Sequence, residues 1–273
     1  MVDGIIFDLD PIIWQWGPLQ LRYYGIIFVI MLYLGYFLWR WQILRGGYKI
    51  EIAQNFLIIG VLAVLVGARL GHCFFYETEF YLTHPIEIFK TWNGGLSSHG
   101  ATIGLVLALV LYARHYKINA LEVTDRFSFA AATGAALVRL GNFINSEIVG
   151  RATDLPWAVR FVRHDNGVVA RHPSQIYEFL LGILVFVVLL IADRRFGKEQ
   201  RPMGLLTGLF LTVYFAGRFV VEFFKEYQTL DSSALTMGQY LSIIPFLAGL
   251  LLLWQVKKQN RAKRVKAAKK NKK

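Results

Sequence analysis

The chain has 273 residues, 55% of them hydrophobic, with a mean hydropathy of +0.43 and a formal charge of +12. That is too apolar for a soluble domain of this length and points to a polytopic membrane protein. The one cysteine, Cys73, leaves no internal disulfide and no cysteine metal cluster to expect, and reads as a small apolar filler.

From the N-terminus, "MVDGIIFDLD" is acidic where a secretory signal carries positive charge, so the first span is expected to stay in the chain. Apolar runs of spanning length follow at about 19–39, 52–76, 96–113, 127–144, 176–192, 204–224 and 237–255, each close to the ~20 residues a bilayer requires. The expected fold is therefore all-α, with about seven transmembrane helices; 127–144 and 176–192 are the two short segments on which that count rests. Between the fourth and fifth runs, "GRATDLPWAVRFVRHDNGVVARHP" alternates Trp157, Val159 and Phe161, which predicts a small extracytoplasmic cap with short strands at about 146–172. The transmembrane domain then covers 1–256. The remainder, 257–273, is a tail with ten basic residues, without which the charge falls to about +2. A solvated extension touching anionic lipid heads is preferred for it over nucleic-acid binding.

Lys and Arg cluster after spans one (Arg40, Arg45, Lys49), three (Arg114, Lys117, Arg126) and five (Arg194, Arg195, Lys198, Arg201), which places these connections and the tail in the cytoplasm. The acidic N-terminus, with Asp3, Asp8 and Asp10, is then extracytoplasmic. The loop after span four breaks the rule by placing Arg151, Arg160, Arg163 and Arg171 outside.

With that orientation, polar groups gather toward the outer leaflet. Tyr24 opens span one, Arg69 lies in the last third of span two, and His99 enters span three on the glycine-rich turn "NGGLSSHGATIG". Arg139 and Asn142 close span four, Glu178 opens span five, and Tyr214, Arg218 and Glu222 close span six at i, i+4, i+8 on one helix face. Each arginine alone could snorkel to the interface. Several in one leaflet are costly without partners and suggest a polar cavity, with Glu147, Glu178 and Glu222 available as counter-charges; a structural ion-pair network is the bland alternative. The histidines show no metal-ligand spacing, and no phosphate loop, dinucleotide fingerprint or serine elbow is present. Neither a metal nor a cofactor is expected.

The stretch "RLGNFINSEIVG" (139–150) resembles the signature of the prolipoprotein diacylglyceryl transferase family, an Arg-x-Gly-Asn-Phe-x-Asn-x-Glu-x-x-Gly pattern. "LRYYG" (21–25), "GARLGH" (67–72), "GGLSSHG" (94–100), "RHPSQIYE" (171–178) and "YFAGRFVVEFF" (214–224) match further family segments in order. Ser98 and Ala101-Thr102 depart from the residues that commonly flank the histidine. The resemblance implies a multi-pass enzyme of the bacterial inner membrane. It would transfer the diacylglyceryl group of phosphatidylglycerol to the lipobox cysteine thiol in the signal peptide of a preprolipoprotein, releasing glycerol phosphate. By motif it implies functional roles for Tyr24, His99, Arg139, Asn142, Glu147, Gly150, Tyr214, Arg218 and Glu222.

The residues suit that chemistry on their own terms. A thiol of pKa near ~8.5 must lose its proton to attack carbon, and His99 or an arginine-rich field could assist. A phosphate leaving group needs cationic donors in fixed geometry, and arginines supply them. The rival reading is a lipid or anion transporter with an arginine-lined cavity, for which internal repeats and midplane sites are expected; the sequence shows neither.

Overall fold

The structure, a computed structural model, describes residues 4–226 and 235–270, with no side chains described for Asn93 or 260–270; Asp3 and the last residues of the tail, 271–273, lie outside it. Among the described residues six helices are long and apolar enough to cross a membrane: α1 (Tyr23–Arg45), α2 (Ile50–Phe75), α5 (Ala120–Ile144), α7 (Ser174–Arg195), α8 (Leu205–Val221, extended to Phe224 by a 3-10 turn) and α9 (Met237–Lys270, apolar to Gln259). The seventh expected span is also helical. This is α4 (Ser98–His115), whose 18 residues carry His99 at one end and Arg114 and His115 at the other, so it falls short on apolarity rather than on form. The two short runs of the sequence, 127–144 and 176–192, lie inside the longer helices α5 and α7. The chain is thus an all-α polytopic membrane protein.

Span one begins later than its hydropathy suggests. Residues 19–22 belong to a strand, β3 (Leu19–Arg22), which pairs antiparallel with β2 (Ile12–Trp16) across a turn with Gly17 at φ +57°. Alternation, not length of apolar run, decides here: the hairpin exposes Trp14, Trp16, Leu19 and Leu21, and a helix starts only at Tyr23.

The described residues form two compact units, 39–126 and the remainder, with the division falling inside α1 and α5. In the first unit α2 and α4 cross with backbones touching. A Cβ on Gly104 would lie 2.3 Å from the Ala63 carbonyl oxygen, and one on Gly100 would lie 2.2 Å from that of Gly67. Small residues allow this approach, which substitutes dispersion contacts for the hydrophobic drive that lipid does not provide. At the α2 N-terminal end, Trp39, Phe56 and Tyr112 stack edge to face with centroids 5.0–6.3 Å apart. A short helix, α3 (Thr78–Thr83), and 3-10 turns at Pro85–Phe89 and Thr91–Asn93 connect α2 to α4.

In the second unit α7 meets α5 where Gly182 lies against the Ala136 backbone, and α8 meets α9 where Gly249 lies against Thr212. Helix α9 starts with a reciprocal capping box: the Thr236 hydroxyl accepts from the Gln239 N–H, and the Gln239 side chain accepts from the Thr236 N–H. The segment 146–172 carries the expected short strands, β4 (Val159–Phe161) and β5 (Ala170–Arg171), joined by a one-turn helix, α6 (Val162–Asp165). Val159 and Phe161 are buried with Val149, Phe143 and Phe7, whereas Trp157 is exposed and precedes the strand. The sequence did not signal the third strand: β1 (Ile5–Phe7), from the N-terminus, pairs parallel with β4.

Gly104→Val is expected to overpack the α2–α4 crossing at a cost of about 1–3 kcal/mol, and so to lower the unfolding midpoint in detergent by several degrees. Gly25→Ala, where a Cβ meets nothing within 4 Å, should leave it unchanged. Thermal melts of the two purified variants decide the point, and equal midpoints would show that the crossing does not depend on glycine.

Candidate active site

The last turn of α5 opens into an irregular stretch in which the Glu147 N–H returns to the Asn142 carbonyl and Ser146 and Ile148 take φ of +56° and +53°. This ending turns the side chains of 139–147 toward one another. Arg139 donates from Nη1 to Asn142 Oδ1 at 3.2 Å, Asn142 Nδ2 donates to Glu147 Oε2 at 3.1 Å, and Asn145 Nδ2 donates to Glu147 Oε1 at 3.2 Å. Glu147 is therefore held by two amides, and its backbone carbonyl accepts from Gln175 Nε2 at 2.7 Å. Tyr24 lies within electrostatic reach of Glu147 and Arg139. Its ring occupies the space beside Gly141, where a Cβ would fall 2.7 Å from it.

The acid paired with Arg139 is Glu178, not Glu147. Arg139 Nε lies 2.9 Å from Glu178 Oε2, and the Glu178 side chain is 1% exposed. The other oxygen, Oε1, lies 3.2 Å from Lys225 Nζ, which also approaches Glu222 Oε2 at 3.0 Å. Lys225 was not singled out from the sequence, although its i+3 spacing from Glu222 was a usable signal. Among the described residues Arg218 has no ion pair with Glu222 or any other acid; it is hydrogen-bonded with Tyr214, and its Nε is shielded from solvent without a hydrogen-bond partner. Tyr214, one turn before it, is buried.

Gly150 acts through its missing side chain. A Cβ there would lie 2.3 Å from the His172 carbonyl oxygen and 2.7 Å from that of Phe224. The gap lets three segments share main-chain bonds: Gly150 N–H donates to His172, Arg151 N–H to Phe224 and Glu226 N–H to Val149. Arg171 reinforces the junction through Asp165 and Glu226 at 2.8 and 2.7 Å. Burial, and secondarily Arg151, lower the pKa of His172 from its ordinary value, and its Nδ1 is hydrogen-bonded with the Tyr177 hydroxyl at 3.1 Å.

Arg69 and His99 belong to the other unit. Arg69 spends all five donors on backbone carbonyls, those of Glu87, Ile88, Lys90, Gly94 and Gly95 at 2.6–3.3 Å. Its place is thus the centre of the irregular α3–α4 connection, whose freed carbonyls need donors. Gly95, at φ +72°, leaves room for that guanidinium. His99 stands exposed in the first turn of α4, capped by Ser97, with its Nδ1 3.5 Å from the Tyr76 hydroxyl.

The family model for prolipoprotein diacylglyceryl transferase matches residues 11–255. The chain belongs to that family. It is 40% identical over 260 residues to the phosphatidylglycerol–prolipoprotein diacylglyceryl transferase of Nitrosospira multiformis, covering 92% of this chain and 88% of the relative. To the protein of the same name from Chloroherpeton thalassium it is 41% identical over 261 residues, covering 93% and 95%. In this prolipoprotein diacylglyceryl transferase family member the signature stretch 139–150 is thus the end of α5 and the irregular turn after it. Its charged and amide residues form one connected set with Glu178, and its final glycine holds the surrounding segments together.

Proposed function

We propose that this membrane enzyme transfers the diacylglyceryl group of phosphatidylglycerol to the thiol of a lipobox cysteine in a prolipoprotein signal peptide, in the bacterial inner membrane. The observation that carries the reading is the pair of arginines at the ends of α5 and α8: Arg139 is fixed by Glu178 and Asn142, and Arg218, hydrogen-bonded with Tyr214, has no ion pair among the described residues and keeps a buried Nε without an acceptor. A carbon–sulfur bond forms as the bond from glyceryl carbon to phosphate oxygen breaks. The thiol proton goes to a base, and glycerol phosphate leaves with the electron pair. Guanidinium groups in fixed geometry stabilise the developing phosphate charge, and Tyr24, Asn142, Glu147, Tyr214 and Glu222 shape the pocket that receives it. The transporter alternative has no comparable support, since no relative named above is a transporter.

Purified protein incubated with phosphatidylglycerol and a lipobox peptide should add one diacylglyceryl mass to the peptide, and absence of that gain would refute the reading. Cys73→Ser should retain nearly full activity, because the attacking sulfur arrives on the substrate; a folded but inactive variant would point to a covalent enzyme route.

Arg→Lys keeps charge but loses the planar fork. Arg139→Lys and Arg218→Lys should therefore each slow transfer on the order of a hundredfold, equivalent to about 3 kcal/mol of lost transition-state stabilisation. Wild-type turnover by both would reduce these arginines to general electrostatics.

The N-terminus is read as extracytoplasmic and the tail as cytoplasmic, from the Lys and Arg alternation. In a Cys73→Ser background, an impermeant thiol reagent added outside should label Asp3→Cys and spare Val265→Cys. The reverse pattern would overturn the orientation.

A further inference from the structure

Glu222 has two cations within local reach, Arg218 one turn before it and Lys225 three residues after it. Glu222 keeps helical dihedrals and its N–H donates to the Arg218 carbonyl, so both cations are in register with it, and the ion pair formed is with Lys225. The α-helix ends at Val221, and Glu222–Phe224 forms a 3-10 turn, in which side chains at i and i+3 eclipse. Lys225 Nζ comes to 3.0 Å from Glu222 Oε2, while an arginine four residues N-terminal to a glutamate is in the weaker of the two i, i+4 orders. The Lys225 and Glu222 side chains are only 9% and 13% exposed. On α9, Gly238 leaves just enough room for the Glu222 carboxylate, since a Cβ there would fall 2.4 Å from its Oε1. Lys225 completes its own charge balance through Glu178 Oε1 at 3.2 Å, the carboxylate it shares with Arg139.

We propose that Lys225 is a positioning residue for the transfer reaction: by occupying Glu222 and one oxygen of Glu178, it keeps the Arg218 guanidinium out of an ion pair and available to the phosphate of the lipid. The inference rests on the transferase reading above. Without the lysine, the strongest cation left to Glu222 is Arg218, and an internal pair would then compete with the lipid phosphate for the same donors.

The test compares wild type, Lys225→Met, Glu222→Gln and the double variant as full-length protein in mixed micelles of detergent and phosphatidylglycerol, with a lipobox peptide as acceptor. Lys225→Met should raise the KM for phosphatidylglycerol about tenfold, the scale of one hydrogen bond to a charged group, with a smaller change in kcat. The double variant should return to the value of Glu222→Gln alone, because the competing carboxylate is gone. A Lys225→Met enzyme within twofold of wild type overturns the proposal. So does a double variant markedly below Glu222→Gln, which is the behaviour of a merely structural lysine. If Lys225→Met does not insert, the comparison of the double variant with Glu222→Gln decides by the same criterion. A wild type that transfers nothing removes the transferase reading and this inference with it, whereas a transferring wild type matched by Lys225→Met removes the inference alone.

Discussion

One carboxylate, that of Glu178, ties the site together. It is almost fully buried, and each of its oxygens faces a different cation, Arg139 at 2.9 Å and Lys225 at 3.2 Å. In a membrane helix a charged group costs a few kcal/mol unless it is paired. Removing one member of a buried pair costs about 3–5 kcal/mol, because the survivor is left uncompensated. Glu178 lies one turn into α7, Arg139 near the end of α5 and Lys225 just beyond α8, so a single group links three helix ends. The Gly182–Ala136 contact brings α5 and α7 close enough for the first of these bonds.

The main chain carries the same junction. Residues 149–152 lie between 171–172 and 224–226, bonded to both, and Gly150 is the position at which a side chain would push all three apart. This gives each end of the signature stretch a different task. Arg139, Asn142 and Asn145 distribute charge among Glu178 and Glu147, and Gly150 fixes the backbone that keeps Glu178 and Lys225 within reach of each other. A larger residue at 150 would damage the site without touching a reacting atom.

Much of this was legible in the sequence. Hydropathy located the long helices, although α5 begins at Ala120 rather than 127 and α1 runs over Tyr23–Arg45 rather than 19–39, and the alternation of Val159 and Phe161 marked a strand in the insert. Pairing was less legible, because spacing along the chain favours local partners. Glu147 was the sequence-near acid for Arg139, yet the amides of Asn142 and Asn145 hold it, and Arg139 pairs with Glu178, 39 positions away. Glu222 stands in helical register with Arg218, its N–H donating to the Arg218 carbonyl, yet its ion pair is with Lys225, three residues on. Arg69 was read as another charge facing the cavity, but an irregular loop has carbonyls to satisfy, and five of them take all its donors. Strand β1 escaped notice because three residues are too few to show a period.

The two arginines at the helix ends differ in a way that bears on the chemistry. Arg139 is held at Nε by Glu178 and at Nη1 by Asn142, so its guanidinium plane is fixed before any ligand arrives. Arg218 has a hydrogen bond with Tyr214 but no ion pair among the described residues, and its Nε is shielded from solvent without an acceptor. An unpaired buried donor on a charged group is unfavourable in the resting protein and becomes favourable once an anion supplies the acceptor. In the phosphate site proposed above, Arg139 would be the preorganised half, and Arg218 would contribute most of the change on binding, since the cost of leaving its Nε unsatisfied is relieved once the lipid phosphate supplies the acceptor. Interactions that strengthen as charge develops are the ones that accelerate the reaction rather than only retain the lipid.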